Sequence, residues 1–320
     1  MDYVTILYAL LNSRVAIAQK RHTTYRPDGV SQALYPFAGK FIALKSDAKM
    51  HYLDEGKGKP VVMLHGNPSW SFYYRNLALA LRDNSRVIAP DHIGCGLSDK
   101  PGDDRYEYTL KNRVEDIEFL LDSLGVKEKI TLVVHDWGGM IGMAYAVRHP
   151  ERIEKLVILN TGAFFLPAGK SFPPALRLCR TPLGAAFIRG LNAFARGAAW
   201  AGCKRRRMGS ELRRAYAAPY NTWANRIATL RFVEDIPLAP GDKAYSVVAE
   251  TQEKLNSLST LPMLICWGMR DFVFDRYFLE EWTRRFPGAE IHSFSDCGHY
   301  ILEDAQKEVI PLIKNFIENA

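Results

Sequence analysis

The sequence predicts an α/β fold in which a mostly parallel, doubly wound sheet carries an inserted helical cap. Short apolar runs alternate with segments whose apolar residues recur at helical spacing, which is typical of a parallel sheet covered on both faces. That alternation stops over residues 161–260, which are rich in Pro, Arg and aromatic residues, and then resumes. The length of 320 residues leaves room for such an insertion beside one sheet core.

The predicted strands begin with an opening hairpin and continue as buried apolar runs. The hairpin covers residues 41–44 and 51–53, and the later strands cover 61–64, 86–89, 130–134, 156–159, 262–267 and 290–294. Between them, apolar residues at helical spacing predict helices through Leu77, Val114, Phe278 and Val309, and over residues 139–149.

These elements divide the chain into three parts. Residues 31–160 and 261–320 are predicted to form the α/β core domain, and residues 161–260 the cap domain. Ligands of such sheets bind at the carboxyl ends of the strands, so the cap is expected to roof that edge.

Residues 1–30 form a predicted N-terminal extension. Val4, Leu7, Leu11 and Val15 recur at helical spacing and indicate an amphipathic helix. Asp2 and no Lys or Arg precede the apolar run, which is the wrong sign for a secretory signal. We expect the helix to dock on a partner or on the protein itself.

The net charge of +7 is concentrated in one stretch, residues 204–207 together with Arg213 and Arg214. Such a cluster is either a solvated surface or a docking patch for an anionic partner or a membrane surface. Nucleic acid is not expected as a partner, because no aromatic residues interleave with the basic ones in a known motif. No apolar run approaches the length that spans a bilayer.

The five cysteines are scattered along the chain and form no C-x-x-C pair. This pattern predicts neither a disulfide framework nor a zinc site. Reduced thiols indicate a cytoplasmic location. No metal or organic cofactor is expected.

The segment LVVHDWGGM at residues 132–140 carries the clearest chemical signal. A strand runs into a glycine pair and then a helix, which is the context of a nucleophile elbow. Asp136 occupies the nucleophile position. A carboxylate with a reference pKa of about 3.9 is ionised at neutral pH and attacks without help from a base. The alternative is a structural Asp that caps the helix.

A second segment, LHGNPSW at residues 64–70, also follows a strand. In an α/β-hydrolase fold this loop and the residue after the nucleophile supply backbone N–H groups to an oxyanion hole. Asn67 and Trp137 additionally carry side-chain N–H donors suited to a departing anion. His65 is expected to be structural.

The acid and the base follow the nucleophile in the chain order of α/β-hydrolases. Asp271 lies in the loop after a strand, and His299 lies in the loop before the final helix. His299 is predicted to be the general base and Asp271 the acid that orients its imidazole. Asp275, Asp296 and Asp304 are rival acids.

Together, the motifs HGNPSW, DHIGCGLSDKP, VVHDWGG, WGMRDFVFD and the GH of DCGHY resemble the haloalkane dehalogenase family. The resemblance runs from about residue 35 to the C-terminus. It implies that Asp136 is the nucleophile, His299 the base and Asp271 the acid, and that Asn67 and Trp137 bind the departing group.

One branch of that family is more similar. The segments ALYPFAGKF, HYLDEG and AYAAPYNTWANRIATLRFVEDIPL resemble the β-lactone decarboxylases of bacterial long-chain olefin biosynthesis. The resemblance implies conversion of an apolar cis-3,4-dialkyl-oxetan-2-one to a cis-alkene and carbon dioxide through a covalent Asp intermediate. The alternative is a haloalkane dehalogenase. The resemblance to the β-lactone decarboxylases also implies a complex with the upstream β-lactone synthetase and other enzymes of the olefin pathway.

Overall fold

The computed structural model describes residues 26–319, so the predicted N-terminal amphipathic helix lies outside the described residues. Within them, eight strands form one sheet in the order β1-β2-β4-β3-β5-β6-β7-β8. The strands are β1 Lys40–Ala43, β2 Lys49–Glu55, β3 Lys59–Leu64, β4 Ser85–Pro90, β5 Ile130–Asp136, β6 Ile153–Thr161, β7 Met263–Gly268 and β8 Glu290–Phe294. β1 and β2 form the predicted antiparallel hairpin, β2 also pairs antiparallel with β4, and the other neighbours are parallel. The predicted fold class is therefore confirmed.

Twelve α-helices accompany the strands in this part of the chain. They are α1 Arg75–Leu81, α2 Leu110–Ser123, α3 Trp137–Arg148, α4 Pro174–Cys179, α5 Pro182–Leu191, α6 Ala193–Ala201, α7 Ser210–Ala217, α8 Ile227–Glu234, α9 Tyr245–Lys254, α10 Arg276–Arg285, α11 Ile301–Asp304 and α12 Gln306–Asn319.

Each face of the sheet is buried against helices, which explains why the central strands are apolar throughout. Along β5, Leu132 and Val134 belong to one apolar cluster and Val133 to the other. Successive side chains of a strand point to opposite faces, so these clusters lie on the two sides of the sheet. Helices α2 and α3 cover one side, and α1 and α12 the other.

The helical insertion follows β6. Thr161 still belongs to β6. Helix α9 packs against α3 of the sheet layer, and its Val247 and Val248 join the apolar cluster there. We therefore propose that the cap spans residues 162–244 rather than 161–260. Apolar spacing predicts that a segment is helical but not which layer it packs on.

Hydrogen bonds fasten the second half of the cap to the core. The Tyr216 hydroxyl donates to the buried Glu303 carboxylate at 2.6 Å, and Glu303 forms an ion pair with buried Arg75. The Tyr220 hydroxyl donates to the Ser69 carbonyl at 3.0 Å. These contacts fix the cap above the loop after β3.

None of the helices between residues 26 and 319 is long and apolar enough to cross a membrane.

Candidate active site

Asp136 is the last residue of β5 and immediately precedes α3. Its backbone has φ 51° and ψ −127°, a conformation that a non-glycine residue adopts only when the surrounding structure enforces it. At Gly138, a Cβ atom would collide with the backbone carbonyl of Leu64. Helix α3 therefore packs closely on the strand that ends at Leu64, and the turn presents Asp136 at the carboxyl edge of the sheet.

Backbone donors surround the Asp136 carboxylate. The Asn67 N–H donates to Asp136 Oδ1 at 2.6 Å, and the Trp137 N–H also donates to the carboxylate. Burial raises the pKa of Asp136, while the charge of His299 and these two N–H groups counteract that rise. The two N–H groups predicted to form an oxyanion hole are therefore bound to the Asp136 carboxylate itself.

His299 lies between the two carboxylates. Its Nδ1 donates to Asp271 Oδ2 at 2.8 Å, and its Nε2 lies 3.7 Å from Asp136 Oδ2. Burial lowers the pKa of His299, but the charge and hydrogen bond of Asp271, with the charge of Asp136, outweigh it and raise the pKa overall. The structure thus brings the three predicted residues together, with His299 hydrogen-bonded to Asp271 and at ion-pair distance from Asp136.

Asp271 is the only one of the four candidate acids that contacts His299 within the described residues. It is buried, and its second carboxylate oxygen accepts the Val273 N–H at 2.8 Å. The rivals have other partners. Asp275 caps α10 and pairs with Lys170, Asp296 pairs with Arg205, and Asp304 accepts the Gly298 N–H.

Two further side chains hold this arrangement in place. Asn160, at the end of β6, accepts the Gly268 N–H at 2.8 Å and donates to the Gly268 carbonyl at 3.0 Å, which fixes the strand end that precedes Asp271. His135 Nε2 donates to the His299 carbonyl at 2.8 Å, and its ring stacks on Tyr73. Neither positioning role was predicted from the sequence. The sequence did carry a signal for these roles, since both are polar residues at the end of a buried strand.

The side-chain N–H donors of Asn67 and Trp137 differ in whether they are already hydrogen-bonded. One hydrogen of the Asn67 amide is donated to the Thr229 carbonyl of the cap at 3.1 Å, a contact that the sequence did not predict. The Trp137 indole packs against Phe232 at 5.3 Å, and its N–H makes no hydrogen bond within residues 26–319. Trp137 therefore provides the freer donor at the cavity.

A cavity of about 570 Å³ lies between the sheet edge and the cap. The polar side chains of its floor are Asn67, Asp136, Trp137 and His299. Its roof comes from α4–α6 and the segment before them, and is formed by apolar side chains and glycines such as Phe172, Leu176, Ile188 and Gly197, together with Cys179. Such a cavity suits an apolar molecule with one polar centre.

Within the described ranges, no group of three or more His, Cys, Asp and Glu side chains is arranged to hold a metal ion. The expectation of a cofactor-free reaction stays a prediction.

The strand order, the elbow at Asp136 and the acid and histidine on the following loops define a member of the α/β-hydrolase class. The family model described as alpha/beta hydrolase fold matches residues 59–306. The chain is 60% identical to a cis-3-alkyl-4-alkyloxetan-2-one decarboxylase of Shewanella oneidensis, over 89% of each chain. It is 48% identical to a protein of the same name in Xanthomonas campestris pv. campestris, over 89% of this chain and 97% of that protein.

Among solved structures, a haloalkane dehalogenase of Bradyrhizobium elkani matches with a TM-score of 0.78 and 25% identity, over 87% of this chain and 96% of that one. The chain belongs to the haloalkane dehalogenase-like family of α/β-hydrolase-fold proteins, in the branch that contains the cis-3-alkyl-4-alkyloxetan-2-one decarboxylases. The resemblance inferred from the motifs is confirmed.

Proposed function

We propose that this protein decarboxylates a cis-3-alkyl-4-alkyloxetan-2-one to a cis-alkene and carbon dioxide. The observation that carries the proposal is a carboxylate, Asp136, held at the floor of a wide apolar cavity. The strained ring is the polar centre of such a substrate, and the roof accommodates its two alkyl tails. The names of the two similar decarboxylases support the same substrate class.

In the proposed first step, Asp136 Oδ2 attacks the ring carbon that bears the ring oxygen. The new bond is an ester between Asp136 and that carbon, and the carbon–oxygen bond of the ring breaks to release a substrate carboxylate. The backbone N–H groups of Asn67 and Trp137 already bind Asp136, so they leave the carbonyl oxygen of the lactone without an oxyanion hole. This favours attack at the saturated carbon over attack at the carbonyl. The Trp137 indole N–H and the second amide hydrogen of Asn67 can bind the carboxylate that forms.

In the second step, the bond breaks between the carboxylate carbon and the neighbouring former ring carbon, which adjoins the carbon esterified to Asp136. The electron pair of the broken bond forms the alkene, carbon dioxide leaves, and the ester bond to Asp136 breaks to restore the carboxylate. No proton or water is consumed. His299 has a raised pKa and lies beside Asp136 Oδ2, so its imidazolium stabilises the returning negative charge. Asp271 orients the ring and stabilises that cation.

A haloalkane dehalogenase would use the same five residues, with a water activated by His299 to hydrolyse the ester. Supplying a synthetic cis-β-lactone and a panel of haloalkanes separates the two functions. We expect alkene and carbon dioxide in equal amounts from the lactone, and none from the Asp136→Ala variant. Halide release without alkene formation would contradict the proposal.

We also propose that the protein assembles with the enzyme that supplies the lactone, because this intermediate is apolar and labile. The basic cluster at residues 204–214 is the candidate contact, although Arg205 is already paired with Asp296 and Glu308. Arg206, Arg207 and Arg214 remain exposed. Co-migration with the β-lactone synthetase at low salt tests this complex.

The five free cysteines support the proposed cytoplasmic location.

A further inference from the structure

The mouth of the cavity opens on a face of the cap that is apolar. Several large side chains that line the cavity are also exposed to solvent. Those on the cap are Leu166 at 37%, Leu178 at 53%, Phe187 at 44% and Trp200 at 55% exposure, and Phe272 of the loop after β7 is 48% exposed. Exposed apolar side chains that surround an opening mark an interaction surface, whereas scattered ones do not.

Helix α5 extends this apolar surface away from the opening. Leu183, Phe187 and Leu191 are spaced four residues apart and therefore lie on one side of the helix. Leu183 is 59% exposed and Leu191 is 61% exposed. We use the term mouth face for Leu178, Leu183, Phe187, Leu191 and Trp200.

The charge of the cap is strongly one-sided. Residues 162–244 contain fourteen Lys and Arg residues and four acidic residues. Beside the mouth face, Arg177 and Arg196 are exposed and form no ion pair with a described residue. The Arg207 guanidinium lies 4.8 Å over the Trp200 ring. Apolar side chains and free cations thus occur together around the opening.

We propose that the mouth face docks on an anionic lipid surface, with the cavity opening directed toward the acyl chains. A lipid surface supplies both negatively charged headgroups and an apolar layer that receives Leu and Trp side chains. A second copy of the chain is a poorer fit, because it would bring two strongly basic faces together. Delivery of the lactone from the bilayer rests on the proposed function, but lipid docking itself does not.

Vesicle flotation with the full chain tests the docking. We expect binding to vesicles of phosphatidylcholine mixed with phosphatidylglycerol, and roughly tenfold weaker binding to phosphatidylcholine alone. The double variant Leu183→Ser, Leu191→Ser should lower binding by about tenfold, because it removes the apolar stripe. The matched control is Ile291→Ser, which removes an exposed apolar side chain from strand β8.

The charge contribution is tested with two variants of equal net charge. Arg177→Glu, Arg196→Glu should reduce binding to the anionic vesicles by at least about tenfold, while Lys57→Glu, Lys127→Glu should leave it nearly unchanged. Lys57 and Lys127 are exposed and lie on core loops. Absence of binding to anionic vesicles, or equal losses in variants and controls, overturns the proposal.

A dimer in sedimentation velocity that dissociates in the Leu183→Ser, Leu191→Ser variant also overturns it, since the mouth face would then be covered by a second copy. Neither flotation nor sedimentation needs turnover, so a failure of docking is distinguishable from a failure of the proposed decarboxylation.

Discussion

The floor and the roof of the cavity are built from different chemistry. The floor is contributed by β5 and the loops after β3 and before α11, and it holds all of the charged groups. Each is tied by hydrogen bonds, as His299 is to Asp271 and Asp136 is to Asn67. The roof, from α4–α6, presents apolar side chains and glycines.

We expect the floor and the roof to determine different properties of the protein. In the proposed function, the floor carries out a covalent reaction at Asp136, and the same floor would serve a dehalogenase equally well. We propose that the roof determines which apolar molecule reaches that carboxylate. Changes to the floor should therefore reduce every reaction of the protein, whereas changes to the roof should redistribute activity among substrates.

The largest effect is expected at the nucleophile. Asp136→Ala removes the atom that forms the covalent bond, so turnover of the lactone should fall by at least about 10⁴-fold. Circular dichroism should show a folded protein, since Asp136 stands at a turn and not within an apolar cluster. Asp275→Ala is the control, because that residue only caps α10 and pairs with Lys170. Activity of Asp136→Ala within tenfold of the parent would reject the assignment.

A large effect is also expected from His299→Ala, but on a different step. Steady-state turnover should fall by roughly 10³-fold, since the cation that stabilises the returning carboxylate is lost. Asp136 attacks without a base, so at about pH 8 one equivalent of substrate should still become attached to it. Intact mass spectrometry measures that adduct. Its absence, together with a slowed first step, would mean that His299 is needed before any bond forms.

An intermediate effect is expected from Asp271→Asn, about 10²-fold on turnover. The sign of the accompanying pKa change follows from the surroundings. Burial alone lowers the pKa of His299, and the carboxylate of Asp271 is the largest influence that raises it. Without that charge, the imidazole should lose its proton at lower pH than in the parent. NMR titration of labelled histidine measures the change, with Asp275→Asn as the control, and an unchanged His299 titration would refute the role of Asp271.

The floor could be predicted from the sequence to a far greater extent than the roof. A strand followed by Asp136 and two glycines, an acid after β7 and a histidine before α11 are local patterns, and the fold brings strand ends together. The contact of Asn67 with Thr229, and the packing of α9 on α3, depend on how distant helices settle on the sheet. The spacing of apolar residues predicts a helix but not the layer against which that helix packs.

The smallest effect, and the one most specific to the roof, is expected at Ala198. This residue lies on α6 and lines the cavity, so Ala198→Phe adds a ring where an alkyl tail would lie. We expect kcat/KM for a long-tailed cis-β-lactone to fall by about tenfold, while that for a short-tailed one stays within about threefold. Ala239→Phe is the control, because Ala239 is exposed and lies outside the cavity lining.

The ratio of the two rates is more informative here than either rate alone. Overpacking in Ala198→Phe can cost about 1–3 kcal/mol of stability, which the Tm reports separately. If kcat/KM falls equally for both lactones in a folded variant, the added ring has disturbed the floor. That result would contradict the separate roles of roof and floor. If neither loses activity, the tails do not lie against α6. A selective loss of kcat/KM for the long-tailed lactone is expected only if the roof contacts the alkyl tails and the floor carries out the chemistry.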